Sequence, residues 1–256
     1  MPHSVCRWPF ESIPFSEFIN LCQDLGIQGI DLLHPDQAKQ LEGTGLTCPI
    51  TAAPDHPSGL GCIEKAFNNP AHHPILHEIY QGLIPAAAEV GIPQVILFPG
   101  NRDGLSNEEG LENCAAGIDP LLPLAEKHGV TLVMELLNSK VDHPDYMADH
   151  TDWGVALCEK LGSEHFKLLY DVYHMQVMEG DLIRTIKESA RYISHYHTAG
   201  NPGRHELSPD QEINYPAVSQ AITDTGFTGY LAHEFIPTTS PHEALAEAVA
   251  ACSNYQ

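Results

Sequence analysis

Eight short apolar runs recur along this chain, and a stretch of helical periodicity follows each one. The runs occupy residues 3–8, 27–33, 46–53, 94–98, 131–136, 166–171, 192–198 and 229–235. They are rich in branched and aromatic residues and short enough to be buried strands. The helical patterns cover 16–25, 36–42, 75–90, 106–128 (with breaks), 149–161, 181–190, 215–225 and 241–251. Gly26, Gly91, Gly129, Gly162 and Gly226 stand where five of these patterns stop, as helix-terminating glycines do. Strands alternating with helices make a parallel sheet with helical crossovers. Eight such units in 256 residues predict one α/β domain over 1–256, a closed (β/α)8 barrel. The alternative is a doubly wound open sheet, which would carry a glycine-rich phosphate turn. Gly26-Ile27-Gln28-Gly29 does not have that spacing. Residues 54–74, rich in Pro, Gly, His and Asn, are expected to form a long functional loop.

In such a barrel the C-terminal strand ends share one mouth. Four of the predicted strands end on metal-capable side chains: Glu135, Asp171, His197 and Glu234. A buried acid or imidazole is costly unless paired, and four on adjacent staves point to one shared divalent cation. Three carboxylates and an imidazole suit Mn²⁺ or Mg²⁺, with Co²⁺ or Zn²⁺ also able to bind. The set contains no cysteine, unlike structural zinc sites. His195 shares a strand face with His197. His197 is nearer the strand end and is the expected ligand, with His195 behind it as a supporting donor. Asn138, His174 and Arg204 lie just beyond the ligands and are the candidate substrate-binding residues. An arginine there can hold a carboxylate or a sugar oxygen through paired hydrogen bonds. Arg7, His34, His56 and Arg102 are further polar candidates near strand ends or in the long loop.

The formal charge is 12 − 34 = −22, which opposes binding to nucleic acid or to an anionic membrane. No apolar run approaches the ~18 residues of a membrane span. The expected partner is therefore a small molecule. Residues 1–8 show no basic region followed by an apolar core, so a cytoplasmic location is expected. The seven cysteines are scattered, with no C-x-x-C pair, and read as buried free thiols in a reducing compartment.

Five segments are similar to the hydroxypyruvate isomerase family, within the wider xylose isomerase-like TIM barrels. They are Glu135-Leu136-Leu137-Asn138, Tyr170-Asp171-Val172-Tyr173-His174, Met178-Glu179-Gly180-Asp181, Pro202-Gly203-Arg204-His205-Glu206 and Glu212-Ile213-Asn214-Tyr215-Pro216. Gly29-Ile30-Asp31-Leu32 and Pro99-Gly100-Asn101 match more loosely. The resemblance implies a metal-dependent aldose–ketose isomerase working through an enediolate, with Glu135 and Glu234 as the acid/base pair. The implied reaction converts hydroxypyruvate to tartronate semialdehyde, with His174 and Arg204 gripping the substrate. It also makes a homo-oligomer, dimer or tetramer, an expectation. Two features depart from the pattern: hydroxypyruvate isomerases have Gln where this chain has His197, whereas ketose 3-epimerases have His, and Thr198-Ala199-Gly200-Asn201 lacks the usual acidic residue of that loop. A 3-epimerase, and a metal-dependent lyase or decarboxylase of an oxidised sugar acid, are the alternatives on the same site. An abasic-DNA endonuclease shares the fold but conflicts with the charge, and a non-catalytic barrel would not need the four ligands to converge.

Overall fold

All eight strands form, and all their pairings are parallel. They are β1 (His3–Cys6), β2 (Gly29–Asp31), β3 (Ile50–Ala52), β4 (Gln94–Leu97), β5 (Thr131–Leu136), β6 (Phe166–Asp171), β7 (Ile193–Thr198) and β8 (Leu231–His233). Their order in the sheet is β2-β1-β8-β7-β6-β5-β4-β3. The two outer strands then meet. The Ile30 N–H donates to the Thr47 carbonyl at 2.9 Å, Thr47 N–H to Gln28 at 3.1 Å, and Leu32 N–H to Ile50 at 2.9 Å. These bonds nearly close the sheet into a barrel. The structure is a computed structural model and describes residues 1–54, 56–61 and 63–253.

The helices are α1 (Phe15–Asp24), α2 (Pro35–Ala38), α3 (His73–Glu89), α4 (Asn107–Ile118), α5 (Leu122–His128), α6 (Thr151–Leu161), α7 (Val172–Met178), α8 (Leu182–Ser189), α9 (Tyr215–Asp224) and α10 (Pro241–Ser253). Local chemistry sets their ends. Ser106 and Glu109 form a reciprocal cap on α4: the Ser106 hydroxyl accepts the Glu109 N–H at 3.2 Å, and the Glu109 carboxylate accepts the Ser106 N–H at 3.0 Å. Gly129 and Gly162 end α5 and α6 in the left-handed conformation that glycine adopts without strain.

The structure trims several expectations. β1 stops at Cys6, and Trp8–Phe10 is a 3-10 turn around Pro9. β3 begins after Pro49, which has no N–H for the ladder. The 106–128 helix divides at Asp119–Leu121, a 3-10 turn containing Pro120. Within 54–74 the expected loop ends early, with a 3-10 turn at Pro70–His72 leading directly into α3 at His73, and Asp55 and Cys62 fall outside the described residues. Helix α7 follows β6 with no intervening loop, where no helix was expected. Asp171 makes this possible. It closes the strand and also caps the helix, accepting the His174 N–H at 2.9 Å.

β5, β6 and β7 are buried almost throughout, as expected of strands covered on both faces. Each Leu, Val or Phe buried there contributes about 1.5–3 kcal/mol. The six described cysteines other than Cys62 are buried free thiols. No helix among the described residues is long and apolar enough to cross a membrane.

Candidate active site

Strand register assembles the four strand-end residues. In the parallel ladder Asp171 lies opposite His197, and His197 lies opposite Ala232. Glu234 follows β8 and extends its ladder, its N–H donating to the Thr198 carbonyl at 2.9 Å. Glu135 is the fifth residue of β5. One ligand atom each from Glu135, Asp171, His197 and Glu234 falls within 4.8 Å of the others, and all four residues are buried. His197 Nδ1 is 3.4 Å from Glu135 Oε1 and 3.2 Å from Glu234 Oε2.

These groups perturb one another. Burial, and then the Glu234 carboxylate, push Asp171 up to about 7. Glu234 moves the opposite way: against the cost of burial, Arg204 and then His197 hold its carboxyl well below the usual range. His197 is held well above the ordinary imidazole value. Burial opposes its charge, while Cys6, Glu234 and Asp31 favour it. Two buried atoms of the quartet, Asp171 Oδ2 and His197 Nδ1, have no hydrogen-bond partner. An unpaired buried polar group costs about 1–3 kcal/mol. A divalent cation would satisfy both atoms at once, so these residues fit one.

A buried polar group backs the quartet. Asp31, at the end of β2, accepts from His195 Nε2 at 2.6 Å and lies 3.6 Å from His197 Nε2. Cys6 Sγ is 3.7 Å from the same His197 nitrogen. Burial opposes ionisation of Asp31, but His195 and then His197 hold its carboxyl down to about 2. A carboxylate facing Nε2 keeps a proton on that nitrogen, so Nδ1 is the atom of His197 that would face a bound cation.

In front, Arg204 Nη2 pairs with Glu234 Oε2 at 2.5 Å, and the Trp8 indole N–H donates to Glu234 Oε1 at 2.8 Å. The Arg204 guanidinium also sits over the Trp8 ring, 5.2 Å from its centre. Arg204 is itself left-handed at φ 58, a costly backbone state for a non-glycine residue and one that clusters at functional sites. Its loop is tight: a Cβ at Gly200 would run into the Glu206 carbonyl. His174 Nδ1 accepts the Asn138 N–H at 3.1 Å, so the imidazole proton lies on Nε2. Burial, then the charge of Arg204, keep that ring neutral by holding its value well below the usual one.

A family model described as a xylose isomerase-like TIM barrel matches residues 7–255. The chain belongs to this family. It is 36% identical over 114 residues to 2-oxo-tetronate isomerase of Cupriavidus necator, a stretch that is 44% of this chain and 43% of that protein. It is 33% identical over 119 residues to hydroxypyruvate isomerase of Escherichia coli, covering 46% of this chain and 45% of that protein. Each alignment thus spans less than half of the relative's length. Among solved structures, AP endonuclease, family 2 from Brucella melitensis superposes with a TM-score of 0.85 at 23% identity, over 96% of this chain and 97% of that one, a likeness of fold.

Within this xylose isomerase-like barrel, the other sequence candidates separate by position. Asn138 lies behind His174: its Oδ1 accepts the N–H groups of Val141 and Asp142, and its Nδ2 meets His174 Nδ1 at 2.6 Å. Arg7 is spent on the Phe10 and Ile13 carbonyls. Arg102 pairs with Asp149 at 2.8 Å. His34 caps α2, and His56 bonds Ser58 at the surface. Sequence reasoning passed over Asp31, Trp8 and His143. Asp31 carried little signal, since it lies inside the 27–33 apolar run and not at its end. Trp8 and His143 lie in turns, where no periodicity marks a direction.

Proposed function

We propose that this protein is a divalent-metal-dependent isomerase of a short hydroxy-2-oxo acid. Hydroxypyruvate, giving tartronate semialdehyde, is the first candidate, and 2-oxo-tetronate, one carbon longer, is the second. The observation that carries this reading is the convergence of Glu135, Asp171, His197 and Glu234, with Asp171 Oδ2 and His197 Nδ1 left unpaired. The names of the two curated relatives support the reaction class. Glu135, Asp171, His197 and Glu234 would hold Mn²⁺ or Mg²⁺, with Co²⁺ or Zn²⁺ as substitutes. Once bound, such an ion would withdraw charge from a carbonyl and an adjacent hydroxyl oxygen and so acidify the C–H between them.

The two glutamates are differently placed for proton transfer. Both Glu234 oxygens are occupied, by Arg204 and Trp8. Among the described residues, no side-chain or backbone donor bonds the Glu135 carboxylate, whose ion-pair neighbour is the His197 ring at 3.4 Å. Glu135 is therefore the better base. It takes the proton from the hydroxyl-bearing C3, and the C–H electron pair becomes the C2–C3 double bond as the C2 carbonyl gains negative charge. The proton then returns at C2, the C3 hydroxyl gives up its own proton to the C2 oxygen, and the carbonyl is left at C3. Glu234, oriented by Arg204 and Trp8, supports that return.

The test is a panel of 2-oxo acids and ketoses scored for solvent deuterium exchange with Mn²⁺ and with Mg²⁺. Exchange at C3 of hydroxypyruvate or 2-oxo-tetronate is expected. Glu135→Gln and Glu234→Gln should each lose at least about a hundredfold in kcat and bind Mn²⁺ more weakly. Full metal and full activity in both variants would sink the proposal. His197 favours a second reading, a ketose 3-epimerase, which predicts exchange at C3 of neutral ketoses with inversion and no carbonyl migration.

A further inference from the structure

Three nitrogen atoms around the site are buried and have no hydrogen-bond partner: His143 Nε2, His174 Nε2 and Arg204 Nε. They come from the segments after β5, β6 and β7, the same three staves that supply Glu135, Asp171 and His197. The His143 and His174 rings lie 5.4 Å apart. His174 Nε2 lies 3.9 Å from Asp171 Oδ2 and Arg204 Nη2 lies 2.5 Å from Glu234 Oε2, so both border the quartet, and burial and then the Arg204 charge lower the proton affinity of both rings. The His143 ring makes no hydrogen bond to any described residue, although its backbone is anchored, with its N–H on the Asn138 carbonyl at 3.1 Å and its own carbonyl taken by Tyr146 N–H at 3.1 Å. The loop therefore holds the ring in place without satisfying it. A buried imidazole nitrogen with no partner is uncommon and calls for a ligand.

Of the three nitrogens, His174 Nε2 and Arg204 Nε carry protons, and a neutral His143 can present its own on Nε2. A cluster of donors matches a group that only accepts, and a planar carboxylate accepts several N–H bonds at once. In a chain of charge −22, neutral imidazole donors and one arginine supply local attraction that the overall field does not.

We infer that His143 joins His174 and Arg204 in a carboxylate-binding subsite, and that His143 sets the preference for 2-oxo acids over neutral sugars. The inference rests on the isomerase reading above for its substrate class. Its test needs no turnover. The Mn²⁺-loaded full chain is titrated with glycerate, and with the neutral ketose erythrulose, by water-proton relaxation of the bound Mn²⁺. His143→Leu should weaken glycerate by about tenfold while erythrulose and Mn²⁺ affinity stay within about twofold. His143→Gln, which keeps an N–H donor and guards against a folding artefact, should recover most of the glycerate affinity. The inference is overturned if wild type does not bind glycerate, if His143→Leu binds it unchanged, if both ligands weaken equally, or if Mn²⁺ binding is lost. Absence of proton exchange with either 2-oxo acid would instead remove the isomerase reading and leave these titrations to decide the subsite alone.

Discussion

Asp31 and His195 are 164 positions apart, yet their side chains meet at 2.6 Å inside the barrel. That contact gives the site its backing. Asp31 orients His195, and its carboxylate faces the Nε2 side of His197 at 3.6 Å. Removing the charge while keeping the shape should loosen the ligand without emptying the core. Asp31→Asn is therefore expected to weaken Mn²⁺ binding by about 10–100-fold, with the far-ultraviolet circular dichroism unchanged. Calorimetric titration checks this, and unchanged Mn²⁺ affinity would mean that Asp31 serves His195 alone. The four candidate ligand positions were legible because a polar residue closing an apolar run is costly and therefore conspicuous, whereas Asp31 sits inside the 27–33 run and was not marked. Which atoms those residues share was not legible, since side-chain meeting points depend on strand register.

The elements beyond the strands hold the site's geometry. Glu206 ties the loop after β7 to the segment after β8, accepting Thr239 N–H at 2.7 Å, Thr238 N–H and both threonine hydroxyls. Burial pushes its carboxyl up, but its own N–H and those of Thr239 and Thr238 outweigh this and hold it at about 2. A depressed carboxyl stabilises the fold fully above its unfolded value of 4.5, and that contribution fades as pH falls from 4.5 toward 2. Glu206→Gln should cost about 2 kcal/mol at pH 7 and show a smaller loss of stability than wild type on acidification to pH 3. Urea melts at the two pH values check both. The segment Pro202-Gly203-Arg204-His205-Glu206 was recognisable in the sequence, but the Glu206 contacts lie more than 30 positions away. Helix α7 escaped for a different reason. Asp171 ends a strand and caps a helix at once, so no turn residue separates the two periodicities.

At the scale of the whole molecule, a ligand that binds only the folded barrel stabilises it by mass action. Mn²⁺ at about 100 times its Kd should add about 2.7 kcal/mol and raise Tm by roughly 5–10 °C. A chelator should reverse the shift, and the Glu135→Gln/Glu234→Gln double variant should show almost none. Differential scanning calorimetry measures all three. The amino-acid order alone determined the alternation of strand and helix, and hence the parallel barrel with its strand ends on one side. Those properties follow from local periodicity and from the handed crossovers that parallel strands require. It also marked Glu135, Asp171, His197 and Glu234, because each breaks an apolar run at its end. Only the tertiary structure decided that Arg204 gives Nη2 to Glu234 and leaves Nε unpaired, that Asn138 stands behind His174, and that the His143 nitrogen is buried without a partner. Each depends on how loops from different staves fold over one mouth, and no spacing along the chain encodes the distance between side chains that meet there.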